Sequence, residues 1–181
     1  MSEHEKRSSS YAEASADRDQ DLEKKNDQDI ISCDMLSQRD RRALVFHILY
    51  SADALDYNSS IEAIAENFAH GYNCVIEKTD EVFLVSQEVI GRRDELDKEI
   101  LPLLENWKFD RLSVATRLIL RYALWEFLYT DMPHTIIINE AVELAQCFAE
   151  KDGYRFVNGI LDEWRKRNMP SEPVSVDQSK P

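Results

Sequence analysis

The sequence predicts an all-α protein, and three observations lead to that fold class. The 181 residues include only four glycines and five prolines, so long stretches are free of helix-breaking residues. Apolar residues recur three and four positions apart, which is the period of an amphipathic helix. The strict alternation of apolar and polar residues that marks a half-buried strand is found in no segment of the sequence.

Composition divides the chain into three parts. Residues 1–35 carry five basic and ten acidic side chains among few apolar ones, so burial cannot offset the entropy of ordering them. Residues 36–169 hold the periodic segments, and residues 170–181 hold three prolines and no period. We therefore expect a disordered acidic extension, one helical domain large enough to fold without a disulfide or metal, and a disordered tail.

Six periodic segments predict helices, and most have a recognisable start. Ser37 and either Ser59 or Ser60 are typical N-cap residues, and Pro133 suits a first helical turn. The segment that begins near Asp110 has the broadest apolar stripe, so we expect it to be the central helix. The predicted boundaries are about 37–52, 59–73, 79–90 with a continuation or restart near 94, 110–129, 133–149 and 154–167.

The charge of the chain limits its functions. The formal net charge is −13, and phosphate repulsion makes an acidic chain a poor generic binder of nucleic acid. RNA binding would need a local basic patch, or a basic partner that neutralises the acidic surface. Cys33, Cys74 and Cys147 are scattered, which favours buried thiols in a reducing compartment. The sequence has no secretory signal or membrane-spanning segment, so a cytoplasmic location is expected.

No group of residues in the sequence favours catalysis. Asn139 and Glu140 form a polar pair inside an apolar helical pattern, but a carboxylate without a nucleophile or metal ligands makes a poor general acid or base. We interpret this pair, and likewise Arg121 and Glu126, as structural hydrogen-bonding groups. Neither a metal nor a cofactor is expected, because the histidines are isolated. Gly159 inside a helix indicates close packing, or something that lies against that turn.

Eight short segments follow one another in a specific order and spacing, namely RDRRAL at 39–44, ILY at 48–50, NW at 106–107, RL at 111–112, ILRYALWE at 119–126, DMP at 131–133, INEA at 138–141 and FVNG at 156–159. Together they resemble the NusB family of small helical RNA-binding antitermination factors. The resemblance covers about residues 36–165. Two features depart from the family pattern, namely the acidic extension and Asp40, which interrupts an arginine cluster.

The resemblance implies a fold of two small helical subdomains, about three helices each, packed across one another. It also implies a transcription antitermination factor, not an enzyme, that recognises boxA-type single-stranded RNA of ribosomal operon transcripts. The implied partners are NusE, which is a ribosomal protein, and the RNA polymerase elongation complex. Some relatives self-associate, so a homodimer is a further expectation.

Three arginines at the start of the first helix are the leading candidate RNA contacts. Arg39, Arg41 and Arg42 are expected to lie away from the apolar face, where guanidinium groups can bind phosphates bidentately. Their spacing alone also fits an ordinary solvated, charged face. Their position in the family pattern favours contact with RNA.

An aromatic residue near the start of the last helix is the second candidate. Phe156 can stack on an unpaired base, although its periodicity also fits the hydrophobic core. In the family this phenylalanine and the loop before it lie at the RNA surface, which adds Asp152, Tyr154 and Arg155 as candidate RNA-binding residues. The carboxylate of Asp152 is expected to weaken binding by repelling phosphates.

Two other functions stay open at this point. A helical module that binds only proteins would use the acidic surface to attract and orient a basic partner such as NusE. It would bind that partner equally well with or without boxA RNA. A small helical enzyme would need a pocket of titratable groups with shifted pKa values, and the sequence offers no support for one.

Overall fold

The computed structural model describes residues 31–72, 74–104 and 107–169. The all-α prediction is confirmed, since α-helices account for most of these residues. One two-residue parallel pair, β1 (Ile31–Ser32) with β2 (Cys74–Val75), departs from it. The helices are α1 (Gln38–Ala54), α2 (Ile61–Tyr72), α3 (Glu81–Gly91), α4 (Arg93–Ile100), α5 (Val114–Tyr129), α6 (His134–Phe148) and α7 (Gly153–Asn168).

Serine side chains fix the starts of the two helices that cross the middle of the fold. Ser37 Oγ accepts a hydrogen bond from the Asp40 backbone N–H at 3.1 Å, as expected for the N-cap of α1. The predicted start of α5 near Asp110 is wrong, because Asp110 lies in a separate turn of 3₁₀-helix, Phe109–Arg111. Ser113 is the N-cap instead, and its Oγ accepts from the Thr116 N–H at 3.2 Å.

The third predicted segment contains two helices rather than one. α3 ends at Gly91, and Arg92 has φ −102° and ψ 10°, which lies outside helical geometry. α4 restarts at Arg93, as the sequence allowed, and a short 3₁₀-helix with Pro102 follows it. The break lets α4 turn away from α3 and pack against α5.

The helices form two groups that share one hydrophobic core. α1 packs against α2 and α3, whereas α5, α6 and α7 pack against one another. α1 also contacts α5, so the two groups are packed against each other, in agreement with the predicted arrangement of two subdomains. α5 is the central helix, because Leu118, Ile119, Leu120 and Leu124 on it are almost fully buried.

Two buried arginines tie the helices together. Arg121 on α5 donates two hydrogen bonds of 2.7 Å to Asp97 on α4, and Arg42 on α1 donates one of 2.6 Å to Glu126 on α5. Buried charges of this kind are retained only when they are paired. The structural roles predicted for Arg121 and Glu126 are therefore confirmed.

The described chain begins upstream of the predicted helical domain. Residues 31–35, assigned from sequence to the acidic extension, form β1 and a 3₁₀ turn, Cys33–Met35. Cys33 is buried there, because β1 pairs with β2 and its thiol reaches Cys74. Residues 1–30 and 170–181, predicted to be disordered, lie outside the described residues. No helix in the described ranges is long and apolar enough to cross a membrane.

Candidate nucleic-acid interface

The α6–α7 hairpin brings together four of the candidate residues, Asp152, Tyr154, Arg155 and Phe156, at its connecting end. Residues 149–152 connect the two helices, and Asp152 adopts a left-handed conformation with φ 67°. A Cβ atom on the next residue, Gly153, would lie 3.0 Å from the Ala149 Cβ, so any other residue there would require Ala149 to shift by a few tenths of an ångström. We call this connecting end of the hairpin, residues 148–156, the hairpin bend.

Arg39 presents an exposed and weakly held cation beside the hairpin bend. Its side chain is 66% exposed and forms an ion pair with Glu143, whose side chain is 46% exposed. Glu143 lies five positions before the end of α6, roughly 8 Å along the helix axis. An ion pair so open to solvent contributes about 0–1 kcal/mol, so a phosphate can replace the carboxylate at little cost.

Arg41 points towards α3 rather than towards the hairpin. Its Nη1 lies 3.2 Å from Glu81 Oε2 near the start of α3, and its side chain is 22% exposed. The guanidinium is therefore half-buried but still reaches solvent. A phosphate bound by Arg41 would therefore lie close to Glu81 at the start of α3.

The prediction that Arg42 lies on the exposed face of the first helix is wrong. Only 6% of Arg42 is exposed, and its guanidinium lies 2.6 Å from Glu126 and 3.8 Å from Glu140. Burial raises the pKa of Glu126, and the charge of Arg42 opposes that rise. Releasing Arg42 to a phosphate would leave the Glu126 carboxylate buried and unpaired, which costs several kcal/mol. Its side chain therefore belongs to the fold and not to the surface.

The polar pair Asn139 and Glu140 is less enclosed than the sequence indicates. Asn139 is exposed, and the side chain of Glu140 is 30% exposed and lies 3.8 Å from the Arg42 Nη1 atom. Glu140 thus adds a second negative charge to the ion pair that joins α1 and α5. The interpretation of Glu140 as a structural group agrees with this contact, whereas Asn139 lies outside it.

An aromatic groove lies beside the first turns of α7. Trp107 is 59% exposed, and its ring centroid lies 5.4 Å from that of Phe156 at an interplanar angle of 63°. The groove has a volume of about 500 Å³. We call it the Trp107 groove, and the residues that line it are Leu103, Trp107, Arg155, Phe156, Gly159, Ile160, Glu163 and Arg167.

Gly159 forms an open part of the Trp107 groove. A Cβ atom at this position would meet nothing within 4 Å among the described residues. Close packing within the chain, one of the two readings of this helical glycine, is therefore wrong for those residues. The open space leaves a flat strip of helix backbone beside two aromatic rings, to which a planar group has access.

The loop residues predicted beside Phe156 form a small charged cluster. The Arg155 guanidinium lies 5.5 Å from the centre of the Tyr154 ring, and its Nη1 lies 3.5 Å from Asp152. The hydroxyl of Tyr154 and the charge of Asp152 raise the pKa of Arg155. Arg155 is 71% exposed and Asp152 54%, so this cation is as weakly held as Arg39.

Phe156 agrees in part with each of the two interpretations of its position, a place in the hydrophobic core and an accessible ring for base stacking. It packs partly against the hydrophobic core and partly against Trp107 in the groove. Trp107 was not among the candidate site residues, although it is part of the NW segment. The sequence does contain one indication that Trp107 belongs to the site. It is a large aromatic residue in a segment without helical periodicity, where no helix face is predicted to bury it.

The arrangement offers exposed cations and exposed aromatic rings at the hairpin bend. Arg39 lines a cleft between α1 and α6, and Phe156 lines the Trp107 groove, so the two sites share no lining residue. Both adjoin the hairpin bend, because Phe148 lines the first cleft, and Arg155 and Phe156 line the second. Such a surface can bind phosphates at one cleft and an unpaired base at the other.

Comparison with known proteins agrees with this fold. The sequence profile of the NusB family matches residues 39–166. A "Transcription antitermination protein NusB" from Geotalea uraniireducens (strain Rf4) is 35% identical over 136 residues, covering 71% of this chain and 94% of that protein. The family profile therefore spans the helices from α1 to α7.

Solved structures match a similar share of the chain. A structure of T. maritima NusB superimposes with a TM-score of 0.62 at 29% identity, covering 75% of this chain and 94% of that one. A chain in the "Crystal Structure of a Plectonemic RNA Supercoil" superimposes with a TM-score of 0.63 at 22% identity, covering 75% and 98%. At that identity the second likeness shows the fold alone.

Proposed function

Because this chain belongs to the NusB family, we propose that it is a transcription antitermination protein which binds boxA-type single-stranded RNA of ribosomal operon transcripts. NusE and the RNA polymerase elongation complex are its proposed partners, in the cytoplasm. The chain contributes binding rather than catalysis. Its proposed RNA contacts are the exposed arginines Arg39 and Arg155, the half-buried Arg41, and the aromatic rings beside the hairpin bend.

The proposal rests on one observation: arginine side chains in weak, solvent-exposed ion pairs lie on the same surface as accessible aromatic rings. Arg39 and Arg155 are 66% and 71% exposed, and each is held by one solvent-exposed carboxylate. Trp107 is 59% exposed beside Phe156. Stacking of a base on an aromatic ring contributes about 1–3 kcal/mol, and phosphate contacts supply the salt-dependent remainder.

Salt dependence tests the phosphate contacts. If Arg39, Arg41 and Arg155 neutralise three phosphates, the logarithm of the RNA association constant should fall with the logarithm of salt at a slope of about −2. Replacing both Arg39 and Arg155 by alanine should reduce the slope to about −0.7. The measurement is fluorescence anisotropy of a labelled boxA-type oligonucleotide titrated with the full chain.

Arg165→Ala is the matched control for Arg155→Ala. Arg165 is also a surface arginine of α7 and also pairs with a carboxylate three positions earlier, Asp162, at 2.8 Å. It lies ten positions further along α7, roughly 15 Å from Arg155. An equal change of slope in both variants would contradict the proposed site, and an unchanged slope in the double variant would exclude it.

An acidic surface favours a basic protein partner in addition to RNA. Residues 36–169 carry 16 basic and 23 acidic side chains, so the field around the helical domain is negative. A basic protein such as NusE would associate faster with such a surface and would lower its repulsion of RNA. We therefore expect tighter RNA binding when NusE is present, measured in the same anisotropy titration.

A second candidate function is a module that binds proteins and has little RNA affinity. What favours it is that each of the three arginines of α1 already has a carboxylate partner. Calorimetric titration with NusE, in the presence and absence of boxA RNA, distinguishes the two functions. The module would be favoured by equal affinity for NusE in both titrations, together with no binding of boxA RNA by the chain alone or by its complex with NusE.

A further inference from the structure

We infer that Cys33 and Cys74 form a reversible dithiol–disulfide site, which fastens the segment before α1 to the segment after α2. Their Sγ atoms lie 3.2 Å apart, although 41 positions separate the two residues in sequence. Both side chains are buried, at 1% and 3% exposure. Two thiols held face to face are the arrangement that a disulfide requires.

The β1–β2 pairing brings the two cysteines close together without placing them directly opposite each other. Ile31 pairs with Cys74 and Ser32 with Val75, so Cys33 lies two positions beyond the residue that pairs with Cys74. The two Sγ atoms therefore approach each other diagonally across the strand pair. A disulfide has a sulfur–sulfur bond of about 2.0 Å, so the Sγ atoms must approach by about 1 Å, which a small side-chain rotation supplies.

One of the two cysteines lies outside the region that matches the family profile, and the other lies inside it. Cys33 precedes residues 39–166, the region that the family profile matches. Cys147 offers a contrast within the same chain, because it is exposed on the last turn of α6. The sequence expectation of buried thiols therefore holds for Cys33 and Cys74 and is wrong for Cys147.

The oxidant is a small-molecule disulfide, such as oxidised glutathione. Opening of the two-residue pair exposes one cysteine thiolate, which attacks a sulfur of the oxidant, breaks its disulfide bond and releases one thiol. The second cysteine thiolate then attacks the mixed disulfide and displaces the second thiol. The two protein thiols lose two protons and two electrons, and the oxidant leaves as two thiols. A thiol reductant reverses both steps.

Oxidation would stabilise the fold next to the proposed RNA site. Cys33 lies four positions before Ser37, the N-cap of α1, so the cross-link would fix the chain immediately ahead of Arg39 and Arg41. It would also close a loop between residues 41 positions apart. Closing a loop of that length should raise the melting temperature by about 5–15 °C.

The test uses the full-length chain with Cys147→Ser, so that the exposed thiol cannot link two molecules. The protein is equilibrated with oxidised glutathione, remaining thiols are alkylated, and fragments are mapped by mass spectrometry without reduction. We expect one cross-linked pair of peptides that contains Cys33 and Cys74, and a higher melting temperature that dithiothreitol returns to its starting value.

The matched variant adds Cys33→Ser to the same background. It should give no cross-link and no rise in melting temperature on oxidation, while a melting curve under reducing conditions shows whether it still folds. Alkylation of both thiols after oxidation of the Cys147→Ser chain would overturn the inference. Glutathione adducts on Cys33 and Cys74 without a bond between them would overturn it as well.

Discussion

Three arginines within four positions have three different environments. Arg39 is exposed, Arg41 is half-buried and Arg42 is enclosed between α1 and α5. Each step along an α-helix rotates the side chain by about 100°, so neighbours such as Arg41 and Arg42 face in different directions. The same residue type is consequently a surface cation at one position and part of the core at another.

Replacing Arg42 should cost far more stability than replacing Arg39. Arg42→Met leaves Glu126 buried without its main partner, so the free energy of unfolding should fall by about 3–5 kcal/mol. Arg39→Ala removes one exposed ion pair and should change it by less than about 1 kcal/mol. Urea denaturation measures both values.

A double variant separates a structural role of Arg42 from a role in RNA binding. Arg42→Met with Glu126→Leu removes both buried charges, so it should regain much of the lost stability. Its RNA affinity should then equal that of the unchanged chain. A folded double variant with much weaker RNA binding would show that Arg42 does reach the ligand.

At the scale of helices, the start of α5 and the bend between α6 and α7 are linked. Ser113 Oγ donates to Glu150 Oε2 at 2.5 Å, and the Thr116 hydroxyl donates to the same oxygen at 3.1 Å. One carboxylate within the hairpin bend therefore accepts hydrogen bonds from the hydroxyl groups of two residues at the N-terminus of α5. This contact positions the loop that precedes Arg155 and Phe156.

Acid should weaken the link between Glu150 and α5. Burial opposes ionisation of Glu150, but the hydroxyl donors Ser113 and Thr116 outweigh it and hold its pKa below the ordinary value of about 4.5. Because the folded pKa is the lower one, this stabilisation is present above pH 4.5 and is lost as the pH falls through the folded value. Urea denaturation between pH 7 and pH 3 should show Glu150→Gln less stable than the unchanged chain at pH 7, with the difference shrinking in acid. A difference that grows in acid would contradict this.

Gly159→Ala should have two effects: it should stabilise α7 and it should weaken RNA binding. Alanine is favoured over glycine in a helix by about 1 kcal/mol, and the open space at Gly159 accepts a Cβ without a clash. The same methyl group would narrow the Trp107 groove. Thermal melting and the anisotropy titration measure the two effects.

Asn158→Ala is the control for the glycine variant. Asn158 is also exposed on α7 but does not line the Trp107 groove. It should gain a similar amount of helix stability and keep its RNA affinity. Loss of RNA affinity in both variants would contradict a specific role for the groove.

At the scale of the whole molecule, charge opposes the proposed ligand. Residues 1–29 add five basic and nine acidic side chains to a helical domain that is already negative. The long-range field therefore repels RNA, while Arg39 and Arg155 attract it over short distances. Affinity is the balance of these two effects, and ionic strength shifts that balance.

Removing residues 1–29 should raise RNA affinity at low salt, because the removed segment carries a net negative charge. The gain should be a few-fold at an ionic strength near 0.05 M and should vanish near 0.5 M, where screening is nearly complete. The shortened chain keeps Ile31 and Cys33, so the β1–β2 pair is retained. Equal gains at both salt concentrations would point to a cause other than charge.

The sequence predicts the helices better than it predicts the site. Ser37 and Pro133 indicate their helices because capping and the fixed φ of proline act over a few residues. Asp110 misleads because Asp is also a preferred N-cap residue, and only the observed chain shows that Ser113 takes that position. At the site, Arg39 and Arg155 are exposed, as contact with RNA requires. The sequence pattern does not predict that Arg42 is buried or that Trp107 is exposed.

By itself, the sequence determined the all-α class, most helix boundaries and the resemblance to the NusB family, because periodicity, caps and short motifs are local properties of the chain. The tertiary structure alone decided which arginine is enclosed, since Arg42 meets Glu126 84 positions away. It also decided that Trp107 lies against Phe156 and that Cys33 lies against Cys74. These contacts join segments that are distant in sequence, and only the packing of the helices brings them together.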